Sequence, residues 1–340
     1  MTLWETDENF SLYFGPFQGI TDVYFRRLFM QYFGGVDKVF TPFFAGVDKD
    51  NCKSLKTAEI DPQLNNTFIT IPQLLSKNAD ELLRFASHCK QTGYREINWN
   101  LGCPSPQVAD KKRGSGLLPY PEEIDRILNS YFEVNPLNLS VKCRFGLEHV
   151  NEFDSLLKVF NRYPISELIV HARVGRQRYL GSALAEEFKR YIPLLNLPLV
   201  YNGDIFCESD FVRYRNQFSV INMFMLGRGL LSDPFLAREM KGMVPLLNKK
   251  EILRDFVVEL FHVRQAAATH KLSPIGKQKE LWSYLMWSFD EPQTVWRIIR
   301  KTTGIAEYEA AVDHVFCTRE WIGQGFGKRG RTTEVVDLTA

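Results

Sequence analysis

The segment that decides the fold reads EINWNL at residues 96–101, PEEIDRILNSY at 121–131 and LNLSVKCR at 137–144. The two outer stretches are short and rich in apolar side chains, as buried strands are. The middle stretch begins with a proline and two acidic residues, which is typical of the first turn of a helix. The order of strand, helix and strand predicts two parallel strands connected by a helix.

The same alternation continues along the chain. Eight strand-like runs occur at residues 11–17, 38–44, 67–74, 96–101, 137–144, 166–173, 197–204 and 220–229. Helix-like segments follow most of them, at residues 21–29, 79–91, 121–131, 152–160, 184–195 and 208–215. This pattern predicts an α/β fold, a (β/α)8 TIM barrel. An open, doubly wound sheet is the alternative, but the first turn, GPFQG at 15–19, lacks the glycine pattern of a dinucleotide site.

The strand signals end near residue 247. Four helix-like segments follow, at residues 249–271, 277–289, 292–301 and 306–321. We therefore predict a barrel domain over residues 1–247, a small all-helical domain over 248–322 and a flexible basic tail over 323–340. Residues 249–302 contain ten Lys or Arg against six Asp or Glu. Solvated helix faces are the usual explanation of such charges.

The overall composition excludes several classes of protein. The net charge of +2 excludes a polyanion binder that acts through bulk charge. Six cysteines without a CxxC pair or metal-like spacing favour reduced thiols and no metal site. The N-terminus lacks the pattern of a signal peptide, and no apolar run reaches the roughly 20 residues of a membrane helix. We expect a cytoplasmic protein without a membrane segment.

The active site of such a barrel lies where its strands end. The predicted strand ends carry residues that packing does not explain, namely Pro16, Phe17, Gln18, Gln73, Asn100, Cys103, Lys142, Arg144, His171, Arg173, Asn202, Gly203, Asp204, Gly227 and Arg228. Each has a structural alternative, such as a core cysteine, a lysine at a strand end, a buried histidine or an ordinary turn. Their convergence on one mouth predicts a functional site.

The types of residue at this mouth indicate a ligand. Gly203, Gly227 and Arg228 follow the last two strands, where such barrels commonly bind phosphate. Lys142 suits a ring that accumulates negative charge, and Gln73 and Asn100 offer hydrogen bonds to the edge of a heterocycle. A phosphate at one end and such a ring at the other describe flavin mononucleotide (FMN).

Short motifs then connect the chain with a family. They read GPFQGITD at 15–22, NLGCP at 100–104, GSGLL at 114–118, VKCR at 141–144, HAR at 171–173, NGD at 202–204 and GRG at 227–229. In this order they resemble the motifs of the tRNA-dihydrouridine synthases, and the resemblance runs from about residue 11 to 300. Phe17 replaces the usual methionine, Gly15 an alanine and Val174 a threonine.

The resemblance implies a reaction. In that family a nicotinamide cofactor, NADPH or NADH, reduces FMN, a hydride passes to carbon 6 of a uracil in tRNA, and a cysteine protonates carbon 5. By position the cysteine is Cys103, which the reaction needs as a neutral thiol. The resemblance also implies contacts with the cofactor for eleven residues, namely Pro16, Phe17, Gln18, Gln73, Lys142, His171, Asn202, Gly203, Asp204, Gly227 and Arg228.

The remaining implications concern the RNA. The uracil must leave its stack to reach the mouth. Asn100 is expected to contact the flipped base, and Arg144 and Arg173 the base or its phosphate. The helices over residues 248–322 also resemble the small RNA-binding domain of the family. Within them Lys277, Lys279, Arg297 and Arg300 are expected to meet the tRNA backbone. The family resemblance further implies a monomer without an obligatory protein partner.

Three alternatives remain at this point. An FMN-dependent barrel dehydrogenase acting on a free pyrimidine, similar to dihydroorotate dehydrogenase, would carry a comparable lysine and cysteine. A dihydrouridine synthase acting on ribosomal RNA would share every motif. An RNA-binding barrel without catalytic activity is the third alternative, and Cys103, Lys142 and His171 argue against it. The sequence does not specify which uridine is reduced.

Overall fold

A computed structural model describes residues 10–47, 57–268, 274–323 and 325–326. Within them nine short strands form one parallel sheet. The strands are β1 (Ser11–Phe14), β2 (Lys38–Phe40), β3 (Ile69–Ile71), β4 (Gln73–Leu74), β5 (Glu96–Leu101), β6 (Asn138–Arg144), β7 (Leu168–His171), β8 (Leu199–Asn202) and β9 (Met223–Leu226).

Pro72 explains why nine strands form an eight-position barrel. The strand order is β3-β2-β1-β9-β8-β7-β6-β5-β4, so β3 and β4 lie at the two ends. Pro72 alone separates them in sequence, and a proline cannot donate a backbone hydrogen bond to the sheet. Its carbonyl accepts from the Asn98 N–H at 2.8 Å, which joins this split strand to β5. The predicted (β/α)8 barrel is therefore confirmed, with its third strand split in two.

Helices cover the outside of this sheet. They are α1 (Val23–Tyr32), α2 (Ala79–Gln91), α3 (Pro106–Ala109), α4 (Pro121–Val134), α5 (Glu152–Phe160), α6 (Ala185–Tyr191), α7 (Glu208–Gln217), α8 (Arg228–Ser232) and α9 (Leu236–Met240). The helix after β9 begins at Arg228, directly after Gly227, the residue that follows the strand. Between β2 and β3 the described residues contain short 3-10 turns instead of an α-helix.

The barrel interior is filled by a small apolar layer. It consists of Tyr13, Phe40, Ile71, Ile169, Val200 and Met225, with Met223 packed against it. Below this layer Lys38 lies 2.5 Å from Glu167 and 3.5 Å from Glu96, and Tyr13 donates to Glu167 at 2.9 Å. These paired polar groups close the end of the barrel opposite the mouth.

Four further helices follow the barrel, namely α10 (Lys249–Ala267), α11 (Ile275–Leu285), α12 (Pro292–Arg300) and α13 (Ile305–Thr318). Their positions agree with the four predicted helices, while a domain division at residue 247 stays a prediction. None of the described helices is long and apolar enough to span a membrane. Phe326 is buried, at 3% exposure. The flexible tail over residues 323–340 stays a prediction, because most of it lies outside the described residues.

Asp22 connects these helices to the barrel. Its carboxylate caps α1 through the Phe25 N–H and accepts from Arg264 of α10 at 3.1 Å and Lys277 of α11 at 3.0 Å. Burial by itself raises the pKa of Asp22, but Arg264 and Lys277 outweigh it and hold the pKa below its usual value. The contact orients the C-terminal helices beside the barrel mouth.

Candidate active site

The strand ends surround one cleft at the mouth of the barrel, with about 490 Å³ of empty space that includes open solvent. Nine of the eleven residues expected to contact a cofactor line it, namely Pro16, Phe17, Lys142, His171, Asn202, Gly203, Asp204, Gly227 and Arg228. Gln18 and Gln73 are absent from this lining. Local strand-end reasoning thus identified most of the residues that share the cleft.

Positive charge dominates the cleft. Lys142, Arg144, Arg173 and Arg228 lie close enough together that all four lower the pKa of His171. The side chain of Lys142 forms no hydrogen bond or ion pair with any residue that the structure describes. Burial and the neighbouring Arg144 lower the pKa of Lys142 to about 8. Because buried charges need partners, this arrangement favours an anionic ligand.

His171 is the neutral member of this group. It lies at the end of β7 and is 8% exposed. Burial, followed by the charges of Arg144 and Lys142, lowers its pKa well below its usual value. The imidazole is therefore uncharged at neutral pH and can donate one hydrogen bond without adding to the positive charge.

Asp204 is the carboxylate that pairs with these cations. One oxygen accepts from Arg173 Nη2 and from the Ala183 N–H, both at 2.6 Å, and the other accepts from Arg228 Nη2 at 2.8 Å. Its backbone lies at a positive φ of 27°. The carboxylate thus contacts the protein itself, and its expected contact with a cofactor stays a prediction.

The two other arginines at the strand ends are buried inside the protein. Arg144 Nε donates to the Gly102 carbonyl at 3.0 Å, and its Nη1 donates to the Val174 and Arg178 carbonyls at 2.8 Å. Arg173 Nη1 donates to the Leu180 carbonyl at 2.6 Å. Both guanidiniums hold the loop after β7. Their expected contact with the RNA stays a prediction.

Gln73 and Asn100 belong to a hydrogen-bonded network inside the barrel. Asn100 Nδ2 donates to Gln73 Oε1 at 2.7 Å, and Gln73 Nε2 donates to Asn98 Oδ1 at 2.8 Å. Asn100 Oδ1 accepts from the N–H groups of Gly102 and Cys103, both at 3.0 Å. The network fixes the turn that carries the candidate acid.

Cys103 lies immediately after β5, beside the cleft. Its carbonyl accepts from both the N–H and the hydroxyl of Ser115, each at 3.0 Å. Gly114 has φ +54°, and a Cβ there would come 2.8 Å from the Cys103 carbonyl. Burial raises the pKa of the Cys103 thiol, while Arg144 and Lys142 act in the opposite direction. The thiol therefore stays protonated at neutral pH.

The backbone of Phe17 does not face the cleft freely. Its N–H donates to Thr21 Oγ1 at 2.9 Å, and its carbonyl accepts from the N–H groups of Ile20 and Thr21. Its ring packs on Gly227, where a Cβ would come 3.1 Å from the ring. The tight turn therefore uses both backbone polar groups of Phe17, and the expected contact of this residue with a cofactor stays a prediction.

Sequence reasoning missed two aromatic residues of the cleft. Tyr179 lies on the loop after β7. Its ring centre is 4.6 Å from the guanidinium carbon of Arg228 and 5.6 Å from that of Arg144. Phe206 lies 5.2 Å from Arg228 on another side. No local motif marks either residue, because the fold of two loops brings them to the arginines.

The four cations expected to meet RNA differ in their surroundings. Lys277 pairs with Asp22, and Lys279 Nζ donates to the Thr302 carbonyl at 2.5 Å. Arg297 and Arg300, on α12, are exposed and have no ion pair within the described part of the chain. These two arginines are therefore available to a phosphate backbone, and the two lysines also connect parts of the protein. The expected contact of all four cations with RNA stays a prediction.

Known proteins resemble the chain over most of its length. A family model described as "Dihydrouridine synthase (Dus)" matches residues 13–315. The tRNA-dihydrouridine synthase B of Pasteurella multocida is 27% identical over 262 residues, which cover 73% of this chain and 77% of the relative. The tRNA-dihydrouridine(16) synthase of Neisseria meningitidis is 28% identical, with 84% and 88% covered. That of Shigella flexneri is 26% identical, with 88% and 97% covered.

Proposed function

The chain belongs to the dihydrouridine synthase family, and we propose that it reduces uridines in tRNA to 5,6-dihydrouridine at the barrel mouth. The observation that carries this proposal is a protonated Cys103 thiol beside a cleft with unbalanced positive charge. An acid next to an anion-binding cleft fits reduction of a double bond by hydride and proton. Membership of this family also separates the chain from barrel dehydrogenases that act on free pyrimidines.

The cleft fits flavin mononucleotide by the chemistry of its donors. Arg228, with the backbone around Gly203 and Gly227, would hold the phosphate, and Lys142, His171 and Asn202 would bind the ring system. Bound there, the flavin would supply the hydride that reduction of the uracil 5,6 double bond requires. We propose NADPH or NADH as the source of electrons.

Lys142 and His171 would act on the ring by different means. A pKa of about 8 leaves Lys142 largely protonated at neutral pH, so its ammonium stabilises negative charge in the cleft. His171 is neutral and contributes a hydrogen bond without a second charge. The pair therefore provides one cation and one neutral donor at neighbouring strand ends.

Cys103 is the proposed acid. Its Sγ–H bond breaks as the proton passes to carbon 5 of the uracil, while carbon 6 receives the hydride. Together these two transfers saturate the double bond. The cations of Arg144 and Lys142 favour the thiolate that remains, and a proton from solvent restores the thiol. Asn100 would position this group through its bonds to the Gly102 and Cys103 N–H groups.

The loop after β7 would shape the entrance for a flipped base. We assign Arg144 and Arg173 to this purpose, because both donate to carbonyls of the loop that carries Tyr179. Arg297 and Arg300 would contact the tRNA backbone from α12. The protein would act as a monomer.

The test uses the purified full chain with FMN, NADPH and a tRNA pool that lacks dihydrouridine. We expect a flavin absorption spectrum and dihydrouridine in the digested tRNA, measured by nucleoside mass spectrometry. Orotate and ribosomal RNA serve as competing substrates in parallel reactions. A flavin-loaded enzyme that leaves every tRNA uridine unchanged would contradict the proposal.

A further inference from the structure

A second cleft lies beside the barrel mouth, between the loop after β1 and the helices α11 and α12. It encloses about 810 Å³ of space. Its walls combine the aromatic rings of Phe17, Tyr284 and Trp296 with the polar side chains of Gln18 and Glu280. Flat rings beside hydrogen-bonding groups are the surroundings in which proteins hold an unstacked nucleobase.

Phe17 connects this second cleft with the first. Its ring lines both of them, and it contacts Tyr284 edge to face at 5.7 Å. Neighbouring bases on one strand are about 3.4 Å apart when stacked, and further apart when splayed. A nucleotide adjacent to a uridine in the barrel mouth therefore falls within reach of the second cleft.

Glu280 supplies a specific hydrogen-bonding group to this cleft. Its carboxylate makes no hydrogen bond or ion pair with a residue in the described ranges. It lies against Gly19, which has φ +86° and where a Cβ would come 2.4 Å from Glu280 Oε2. A carboxylate accepts hydrogen bonds only, so it selects a base edge with adjacent donors. Guanine presents such an edge through its N1–H and its amino group.

The charge around the cleft suits the same ligand. Arg297 follows Trp296 directly in α12, and Arg300 lies one turn further along. Both are exposed and unpaired within the described residues, so a phosphate on either side of the bound base would find a cation. A base in the cleft and its phosphates on α12 would thus be bound together.

We propose that this cleft is a nucleobase subsite, which takes a guanine neighbouring the target uridine. Trp296 stacks on the base, and Glu280 accepts hydrogen bonds from its Watson–Crick edge. The inference rests on the proposed function, because the guanine belongs to the same RNA as the reduced uridine. It adds a determinant of which uridine the enzyme selects.

The experiment measures the affinity of the FMN-loaded full chain for single-stranded RNA hexamers. The probes alternate uridine with guanine, adenine or cytosine, and hexauridine is the reference. The variants are Trp296→Ala, Trp296→Phe and Glu280→Gln. Glu251→Gln serves as the matched control, because Glu251 is exposed on α10 and the change removes the same charge. Bound flavin and circular dichroism report whether each variant is folded.

We expect wild type to bind the guanine hexamer most tightly. Glu280→Gln should reduce this preference about tenfold, as expected for loss of a two-bond contact with a base. Trp296→Ala should weaken binding of the hexamers roughly fivefold to hundredfold, and Trp296→Phe should retain most of the affinity. Glu251→Gln should bind like wild type.

Two outcomes would overturn the inference. One is unchanged hexamer affinity and base preference in folded Trp296→Ala and Glu280→Gln. The other concerns the same two variants in an NADPH oxidation assay. If their KM for NADPH increases while their RNA affinity is unchanged, the cleft belongs to the reductant. Either result leaves dihydrouridine formation by wild type intact. Failure of the proposed function appears separately, as wild type that forms no dihydrouridine in any tRNA.

Discussion

Asp204 and Arg228 form a 2.8 Å ion pair at the mouth of the barrel, on the side where we propose that phosphate binds. The second carboxylate oxygen of Asp204 binds Arg173, whose side chain is almost fully buried. The Asp204 carboxylate, which follows β8, therefore fixes one guanidinium that follows β7 and another that follows β9. This arrangement makes Asp204 a positioning residue for the cationic cleft.

Asp204→Asn should destabilise the protein substantially. Removing one partner of a buried ion pair leaves Arg173 charged and uncompensated, which costs about 3–5 kcal/mol of unfolding free energy. Urea unfolding at neutral pH measures the change. The control is Glu148→Gln, which breaks an exposed pair with Arg176 and should cost far less unfolding free energy, because water screens exposed charges. Equal effects of the two substitutions would contradict the positioning role.

Cys103→Ala should abolish dihydrouridine formation, because carbon 5 of the uracil would lack its proton donor. The flavin spectrum and NADPH oxidation should persist, since neither needs the thiol. Mass spectrometry of digested tRNA and the absorbance of NADPH measure the two reactions on the same sample. Cys207→Ala, at a half-buried cysteine outside the cleft, is the control. Full product yield from Cys103→Ala would remove this thiol from the mechanism.

NADPH oxidation should depend on the protonation of Lys142. The pKa of Lys142 is lowered to about 8, so the ammonium is present below that pH and lost above it. We expect the rate to fall as pH rises through about 8. Lys142→Met should be slow and lack this inflection, whereas Lys142→Arg should retain activity at higher pH. Identical pH profiles of wild type and Lys142→Met would exclude the ammonium as the group responsible.

Asp22→Asn should weaken the contacts that hold the C-terminal helices against the barrel. The folded pKa of Asp22 is lowered, so its stabilising effect is complete above the unfolded value of 3.8 and disappears as pH falls through the folded value. Loss of the buried partner of Arg264 should cost about 3–5 kcal/mol at pH 7. The difference in unfolding free energy between this variant and wild type should shrink at strongly acidic pH. Urea unfolding at several pH values measures this difference. If the Asp22 carboxylate were unimportant, the difference in unfolding free energy between wild type and variant would not change with pH.

Arg297→Glu combined with Arg300→Glu should weaken tRNA binding and leave NADPH oxidation unchanged. Each lost phosphate contact should reduce the slope of log affinity against log salt by about one. Filter binding at several salt concentrations measures the tRNA affinity and its salt dependence. Lys158→Glu with Lys189→Glu, two exposed barrel lysines, makes the same change in charge and should bind more tightly than the α12 variant. Equal losses of tRNA affinity in the two double variants would indicate an effect of net charge alone.

Local patterns allowed much of the fold to be predicted. Apolar runs followed by helical segments identified the barrel positions, because strand and helix periodicity is expressed by neighbouring residues. Pro72 was visible in sequence, yet only the sheet order revealed that it splits one strand without opening the barrel. The buried Phe326 was not foreseen, because its contacts with Phe206 and Tyr284 come from remote segments.

The sequence by itself determined which chemical groups gather at the mouth, because parallel strands all end at one edge and each motif follows its own strand. Only the tertiary structure decided which charges are free. Lys277 pairs with Asp22 across 255 positions, whereas Arg297 and Arg300 have no ion pair within the described residues. Nothing near these residues in sequence distinguishes them. Whether a cation can meet RNA depends on the partner that folding places beside it.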